Sequence, residues 1–397
     1  MKTAAMQTID RYAGQLVCRV LSLVSRKNAE TPKQPKHILI IKMFGMGSIV
    51  LMTPMLRALK KQNPGCTLSF VTLAENSSLP SLYGITDAVY PVRRSSIALF
   101  FLDSCRALLR LRKQGVDISV DAEFFSRYTA VFCFLVGAQY RVGFYSRDIF
   151  RGNLIDYRGY FNPYRHMVNN FLELGEGLPG TWNDVRLSYP ETGPEVKLRV
   201  RQKLSDLDKG QSAPPVLINP NVSDTSTAID RSWPLERFVA VAAHLGSRGY
   251  TPFFIGSSLQ KARTEEAAVK TGGGAVSAAG LLDIGELLAL MKESFLLITN
   301  DSGPLHLAVS VNLPTFSFFG TESPIMYGHR SPVHHLFFKE LACSPCLSVF
   351  NFKRGKCEFG SRCLTMISAE DVVARFEELL PVLTKHYADR TGGVPAG

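Results

Sequence analysis

Residues 299–306 read Thr-Asn-Asp-Ser-Gly-Pro-Leu-His, a cluster of small hydrogen-bonding groups that follows directly on the apolar run 295–298. Consecutive apolar residues mark a parallel strand covered on both faces, and Pro304 suits the first turn of a helix, where a missing N–H costs nothing. The segment therefore ends a strand and opens a helix whose unpaired N–H groups favour an anion. Phosphate is the chemistry such a loop suits. Asp301, Ser302 and His306 can converge on one mouth, although Asp-Ser-Gly also serves as an N-cap and turn with no ligand at all.

A second group of chemically capable residues lies nearby. Cys343, Cys346, Cys357 and Cys363 are spaced C-x2-C-x10-C-x5-C, and Cys-Ser-Pro-Cys is the kind of tight turn that brings two soft ligands together. Structural zinc is one reading, and disulfides or free thiols in a surface loop are the others. Cys18, Cys66, Cys105 and Cys133 are scattered and read as small core residues. Asp206-Leu207-Asp208 has the Asp-x-Asp form of a metal chelate, but it sits between Lys203 and Lys209 in a helix-like run, as a solvated face does.

The elements that position these groups alternate. In the first half, strands are expected at 37–42, 67–72, 88–91 and 118–121, with helices between them, the first over 49–62. The second half repeats the rhythm, with strands at 216–219, 251–255, 275–277 and 295–298 and helices over 234–245, 260–270 and 284–291. Such alternation predicts parallel sheets wrapped by helices, an α/β fold of two doubly wound domains with ligand mouths at the carboxyl ends of the strands. Glycines and prolines concentrate between 175 and 215 and mark the boundary. The organisation expected is a lead-in over 1–36, a first domain over 37–185, a linker over 186–215, a second domain over 216–368 and a closing amphipathic helix and tail over 369–397 that can cross back over the first domain. Gly45 and Gly47 follow the first strand without the full G-x-G-x-x-G spacing or an acidic ribose ligand, so a dinucleotide site is weakly supported there.

Lys and Arg number 45 against 34 Asp and Glu, a net charge of +11 that favours anionic partners such as sugar phosphates or an acidic membrane surface. No basic run interleaved with aromatics, zinc finger or RNP sequence is present, which argues against nucleic acid. No apolar run approaches the ~18 residues of a membrane span. Asp10, Arg11 and Arg19 interrupt any signal-peptide core, so a cytoplasmic protein is expected. Residues 7–27 nevertheless place Ile9, Tyr12, Leu16, Val20, Leu23 and Val24 on one helical face with Arg11, Gln15, Arg19 and Arg26 opposite. That face suits either an anionic inner leaflet or an ordinary packing surface.

Four segments resemble the family 9 glycosyltransferases, the group that contains the ADP-heptose:lipopolysaccharide heptosyltransferases. They are ILIIKMFGMGSIVLMTP at 38–54, NPNVSDTSTAIDRSWPLERF at 219–238, ITNDSGPLHLA at 298–308 and the four-cysteine loop. The resemblance implies a GT-B architecture, two Rossmann-like domains facing a central cleft, with the acceptor on the N-terminal domain and the nucleotide-sugar on the C-terminal one. It places Arg231 where the family has a lysine suited to the donor diphosphate, and Asn219, Asp301, Ser302, Gly303, Pro304 and His306 on the donor side. Gly45, Gly47 and Ser48 fall on the acceptor-side loop. Ser48 stands where the family commonly has an aspartate, its presumed base, and a serine hydroxyl is far too weak a base for that role. Asp121 and Glu123 follow a strand and are the candidate replacements, with His166 a third.

The activity implied is transfer of a sugar, plausibly heptose, from a nucleoside-diphosphate donor to an anionic lipid-linked glycan of lipopolysaccharide type, inverting and without a required metal. Two rivals are a sugar-nucleotide binding protein without transfer activity, which Ser48 motivates, and a metal-bearing interaction module built on the cysteine loop.

Overall fold

Strand β1 (His37–Ile41) is buried along its whole length, as its apolar run requires, and takes a central place in a six-stranded sheet. The computed structural model describes residues 3–25, 29–178, 180–205, 214–222, 231–351, 353 and 355–392. The chain divides into two units, Met1–Ser188 and Tyr189–Gly397. In the first, β2 (Thr67–Leu73), β3 (Ala88–Val92), β4 (Ile118–Asp121), β5 (Tyr140–Tyr145) and β6 (Tyr157–Tyr160) join β1, all parallel, in the order β3-β2-β1-β4-β5-β6. Its helices are α1 (Thr3–Ser22), α2 (Met46–Gln62), α3 (Ser78–Leu82), α4 (Ile97–Gln114), α5 (Arg127–Leu135) and α6 (Met167–Gly175).

The second unit repeats the plan with β7 (Pro215–Asn219), β8 (Thr251–Phe254), β9 (Val276–Ser277), β10 (Leu296–Asn300), β11 (Thr315–Phe318) and β12 (His334–Phe337), ordered β9-β8-β7-β10-β11-β12 and again parallel. Its helices are α7 (Pro194–Leu204), α8 (Leu235–Ser247), α9 (Lys261–Lys270), α10 (Ile284–Glu293), α11 (Gly303–Ser310), α12 (Pro324–Tyr327), α13 (Arg362–Thr365) and α14 (Ala369–Thr391). Both sheets reverse their winding between the first and fourth strands. In such sheets ligands bind outside the carboxyl ends of the strands at that reversal. Four loops matter for that reason: those after β1, β4, β7 and β10.

Helix α7 occupies part of the stretch between the two sheets. Gly193 and Pro194 start it, and it packs on α10 through Val200 and Leu204, with Lys203 bonded to Glu286 at 2.7 Å. Asp206-Leu207-Asp208 lies outside the described residues. Helix α14 opens with a capping box between Ser368 and Asp371 and sends Val372, Phe376 and Leu383 into the core of the second unit. Near its end Arg390 donates to the carbonyls of Met291, Lys292 and Ser294. Among the described residues no helix is long and apolar enough to cross a membrane.

Burial of His334 in β12 gives the second unit a pH dependence. Its Nδ1 meets the Thr315 hydroxyl at 3.0 Å, and desolvation, with a smaller push from His386, lowers its pKa from 6.5 to about 4. The fold favours the neutral ring, so its stabilisation is complete above the unfolded value and is lost as pH falls through the folded one. Urea unfolding should show wild-type stability declining by roughly 1 kcal/mol per pH unit more than His334→Gln across that window. Parallel pH profiles for the two proteins would contradict this.

Candidate active site

The candidate site residues of the second unit are positioned by one tryptophan. Trp233 is fully buried, stacks on Phe318 with ring centroids 4.1 Å apart and meets Phe238 edge-on. Its indole N–H donates to the Ile367 carbonyl at 2.9 Å, and its backbone N–H donates to Asn300 Oδ1 at 2.8 Å. The chain before α8 is thereby tied to the end of β10. Arg231, two residues ahead of the indole, comes to lie over that end, 3.8 Å from Asp301 and 3.6 Å from Glu322.

The loop after β10 is organised from β7. Asn219, the last residue of β7, donates from Nδ2 to the Ser302 hydroxyl at 2.9 Å and the Thr299 hydroxyl at 3.1 Å. Ser302 is the N-cap of α11, yet its side chain makes no capping bond, because it is turned back toward Asn219 and the Asn300 carbonyl. The N-terminal N–H groups of α11 are therefore not closed off by their own cap. That arrangement suits an anion better than the simple turn-and-cap reading does.

Around this N-terminus four charges share a largely buried space. Lys353, from the four-cysteine loop, reaches Glu322 at 3.0 Å and lies 4.6 Å over the ring of Tyr327. Burial opposes the charge on Lys353 more than any single neighbour favours it, but Glu322, Tyr327 and Asp301 together outweigh burial and the ammonium is held protonated beyond its ordinary range. Burial, reinforced by Glu322, raises the Asp301 carboxyl above the usual carboxylate range against the pull of Arg231. The Tyr327 phenol is pushed up to about 12 by desolvation. His306 is buried one turn into α11, its Nδ1 3.0 Å from Nε2 of His329 and its ring beside Tyr327. Thus Asn219, Arg231, Asp301, Ser302, Gly303 and Pro304 assemble at one place, with His306 behind them. Glu322 and Lys353 belong to the same cluster and carry no motif of their own. Glu322 follows the apolar run 316–319 by three residues, which was the available signal.

In the first unit the loop after β1 is held by Glu123. One carboxylate oxygen accepts from the backbone N–H groups of Met43 and Phe44, each at 2.7 Å, and the other accepts from Lys42 Nζ at 2.9 Å. Lys42 is 1% exposed and lies over the Phe124 ring. Gly45 then turns with φ +86°, a conformation that disfavours a side chain, and starts α2 without a side-chain cap. Gly47 and Ser48 lie in the first turn of that helix. Asp121 is fully buried, 2.6 Å from Arg151, and accepts from the Glu123 N–H at 3.1 Å. Desolvation raises its carboxyl to about 6, with Arg151 opposing. His166 caps α6, its Nδ1 accepting from the Val168 N–H. All three candidates for the proton acceptor thus carry identifiable structural bonds.

The cysteine loop departs from the zinc expectation. Cys343 and Cys346 are exposed, whereas Cys363 is buried in the core, close enough to Gly320 that a Cβ there would come within 2.7 Å of its sulfur. Cys357 accepts from the Ser361 N–H. Among the described residues no three His, Cys, Asp or Glu side chains are grouped to hold a metal ion. All eight cysteines are free thiols. The four thiols lie near enough to act on one another's charge, Cys363 feeling the other three and Cys346 feeling Cys343 and Cys357, without being gathered as a metal-holding set.

Two parallel, doubly wound domains of identical strand order, the second carrying a cation-rich loop at the carboxyl end of its sheet, make a GT-B architecture. Residues 106–354 match the model of glycosyltransferase family 9 (heptosyltransferase), and the chain belongs to that family. No curated protein matches it on sequence comparison. Among solved structures, the family 9 glycosyl transferase of Veillonella parvula is 22% identical with a TM-score of 0.71, over 90% of this chain and all of that one. ADP-heptose lipopolysaccharide heptosyltransferase II of E. coli is 17% identical with a TM-score of 0.68, over 87% and 99% of the two chains. E. coli heptosyltransferase WaaC, solved with ADP-2-deoxy-2-fluoro heptose, is 15% identical with a TM-score of 0.61, over 86% and 99%. At these identities the likeness is one of fold.

The bonding of Glu123 separates a positioning role from a proton-accepting one. Glu123→Ala removes the carboxylate partner of the buried Lys42 ammonium and should cost on the order of 3–5 kcal/mol in urea unfolding. If Glu123 acts instead as a base in transfer, Glu123→Gln will abolish turnover while leaving the unfolding midpoint near wild type. A stable, inactive Gln variant would overturn the positioning role.

Proposed function

We propose that the second domain holds the diphosphate of a nucleotide-sugar and that the protein transfers the sugar, a heptose, to an anionic lipid-linked glycan of lipopolysaccharide type. The observation that carries this reading is the convergence of Arg231 and Lys353 on the N-terminus of α11, above Asp301 and Glu322. Breaking the bond from the sugar carbon to the phosphate leaves negative charge on the departing diphosphate. Fixed cations and oriented N–H groups in a water-poor site stabilise that charge without having to reorganise. Two cations already in place supply what a divalent metal would otherwise contribute, which supports metal-independent transfer.

Attack by an acceptor hydroxyl on the face opposite the departing phosphate inverts the sugar carbon. The new bond is from acceptor oxygen to sugar carbon, the electron pair of the broken bond stays on the diphosphate, and the proton of the attacking hydroxyl is released to solvent. We assign the acceptor to the loop of Gly45, Gly47 and Ser48, where Gly45 leaves the backbone open and α2 begins uncapped. The net charge of +11 suits an acceptor that carries phosphate. The likeness in fold to structures whose names include ADP-heptose makes ADP the first nucleotide to test.

A thermal-shift panel of ADP-, GDP-, UDP- and CMP-linked sugars tests the donor site, because a ligand that binds only the folded state raises its melting temperature. ADP-heptose should give the largest shift, and Arg231→Ala and Lys353→Ala should each weaken its binding by roughly tenfold or more, as expected when a charge-assisted contact to phosphate is lost. Arg231→Lys should recover part of the loss. No response to any nucleotide-sugar would count decisively against the assignment.

A further inference from the structure

Helix α1 packs with the face opposite to the one its composition leads one to expect. Its inner stripe is Asp10, Gly14, Cys18 and Ser22, one residue every turn. Asp10 accepts from the Ser126 hydroxyl and from the N–H groups of Arg127 and Tyr128, closing the start of α5. Gly14 lies against the Arg127 side chain, Cys18 is buried with Ala130 and Leu154, and the Ser22 hydroxyl accepts from the Asn153 N–H. Apart from Leu21, which packs against that cluster, small and polar residues make the contact. The large apolar ones face outward: Ile9, Tyr12, Leu16, Val20, Leu23 and Val24 are all exposed, Leu16 at 64% and Leu23 at 86%.

A second helix repeats the arrangement. Helix α4 exposes Ile97, Phe101, Leu102 and Leu109 and turns its single acid, Asp103, inward to a bidentate bond with Arg93. Tyr128 of α5 lies between the two helices, donating its N–H to Asp10 and its hydroxyl to Ser104. Helices α1 and α4 therefore flank α5. Their outward faces carry apolar residues together with exposed Arg11, Arg19, Arg106, Arg110 and Lys113, while both acids are turned away.

We infer that this surface of the first domain seats the protein on an anionic lipid bilayer, with the apolar residues entering the interface and the arginines meeting the headgroups. The occupant follows from complementarity: a packed apolar partner has no need of the cations, whereas a helix lying in a bilayer interface combines an apolar face with flanking positive charge and no exposed acid. The inference stands apart from the donor reading, since nothing in it depends on nucleotide binding.

Flotation of the full chain tests it, with vesicles of phosphatidylcholine alone and of an equimolar mixture with phosphatidylglycerol. The wild type should float with the mixed vesicles, less with phosphatidylcholine, and less as salt rises. Leu16→Glu/Val20→Glu should lower the bound fraction roughly tenfold, and Phe101→Glu should weaken it independently, because each places a charge among residues that enter the interface. These positions are exposed, so melting temperatures and ADP-induced shifts should stay at wild-type values. Absence of flotation by the wild type, or equal flotation by the variants, overturns the inference. So does a dimer in light scattering that Leu16→Glu/Val20→Glu dissociates, since the face would then belong to a second copy of the chain.

Discussion

The charged cluster of the second domain depends on where one indole is buried. Trp233 offers two N–H groups, and both are spent on fixed carbonyl acceptors, the Ile367 backbone and the Asn300 side chain. A fully buried tryptophan is stabilising only if its N–H finds a partner, so the stacking on Phe318 and the bond to Ile367 are mutually dependent. The consequence reaches Arg231. A guanidinium on a loop is ordinarily free to explore solvent, but two residues from an anchored ring it has little range, and its charge stays beside Asp301 and Glu322. Asn300 has a matching role from the other side, because it ends β10 and fixes where the loop to α11 begins.

The two domains handle buried charge in different ways, and the difference tracks what each loop has to do. Lys42 and Glu123 form a closed set, with both carboxylate oxygens and the ammonium engaged among neighbours in the interior. Such a pair contributes little net stability but makes the conformation of the loop from Met43 to Gly45 costly to change. The second domain is more open. Arg231 stands at ion-pair rather than hydrogen-bond distance from its carboxylates, and Asp301 has its proton affinity raised by burial and by Glu322. Asp301 and Glu322 hold Arg231 less closely than Glu123 holds Lys42, whereas Glu322 holds Lys353 about as closely.

The alternation of elements, the two doubly wound sheets and the strand–loop–helix course from β10 to α11 were legible because parallel strands buried on both faces announce themselves as apolar runs. Strands that interrupt that signal were not. Strand β5 carries Arg141 and Gly143, β6 is Tyr-Arg-Gly-Tyr, and β12 starts with two histidines, so none shows a period of its own. Helix α7 was hidden by the glycines and prolines around it, which read as a linker. Among site residues, Arg231 was visible through its neighbour Trp233, while Lys353 was one lysine in a cysteine-rich stretch whose course no local pattern specifies. Glu123 illustrates a further limit: an acid after a strand reads as chemistry, and the two backbone N–H groups that it accepts become visible only when β1 and β4 are placed side by side.

The course of the cysteine loop shows how Lys353 reaches its place. Cys346 and Leu347 both donate their backbone N–H to the carbonyl of Thr321, the residue next to Glu322. Asn351 accepts from the Ser348 N–H and donates to the Cys346 carbonyl, folding the loop back on itself, and the Lys353 N–H then bonds to the Ser348 carbonyl with φ at +53°. A left-handed conformation is uncommon for lysine, and the bond from its N–H to Ser348 is what holds it here. The loop is thus stitched to the residue beside the carboxylate that its lysine pairs with. Cys343 and Cys346 stay exposed on the outer part of the same loop, and Leu347 and Val349 pack inward. The place of Lys353 thus depends on Asn351 and Thr321, whose hydrogen bonds hold the loop that carries it beside Glu322 and hence set the charge presented at the start of α11.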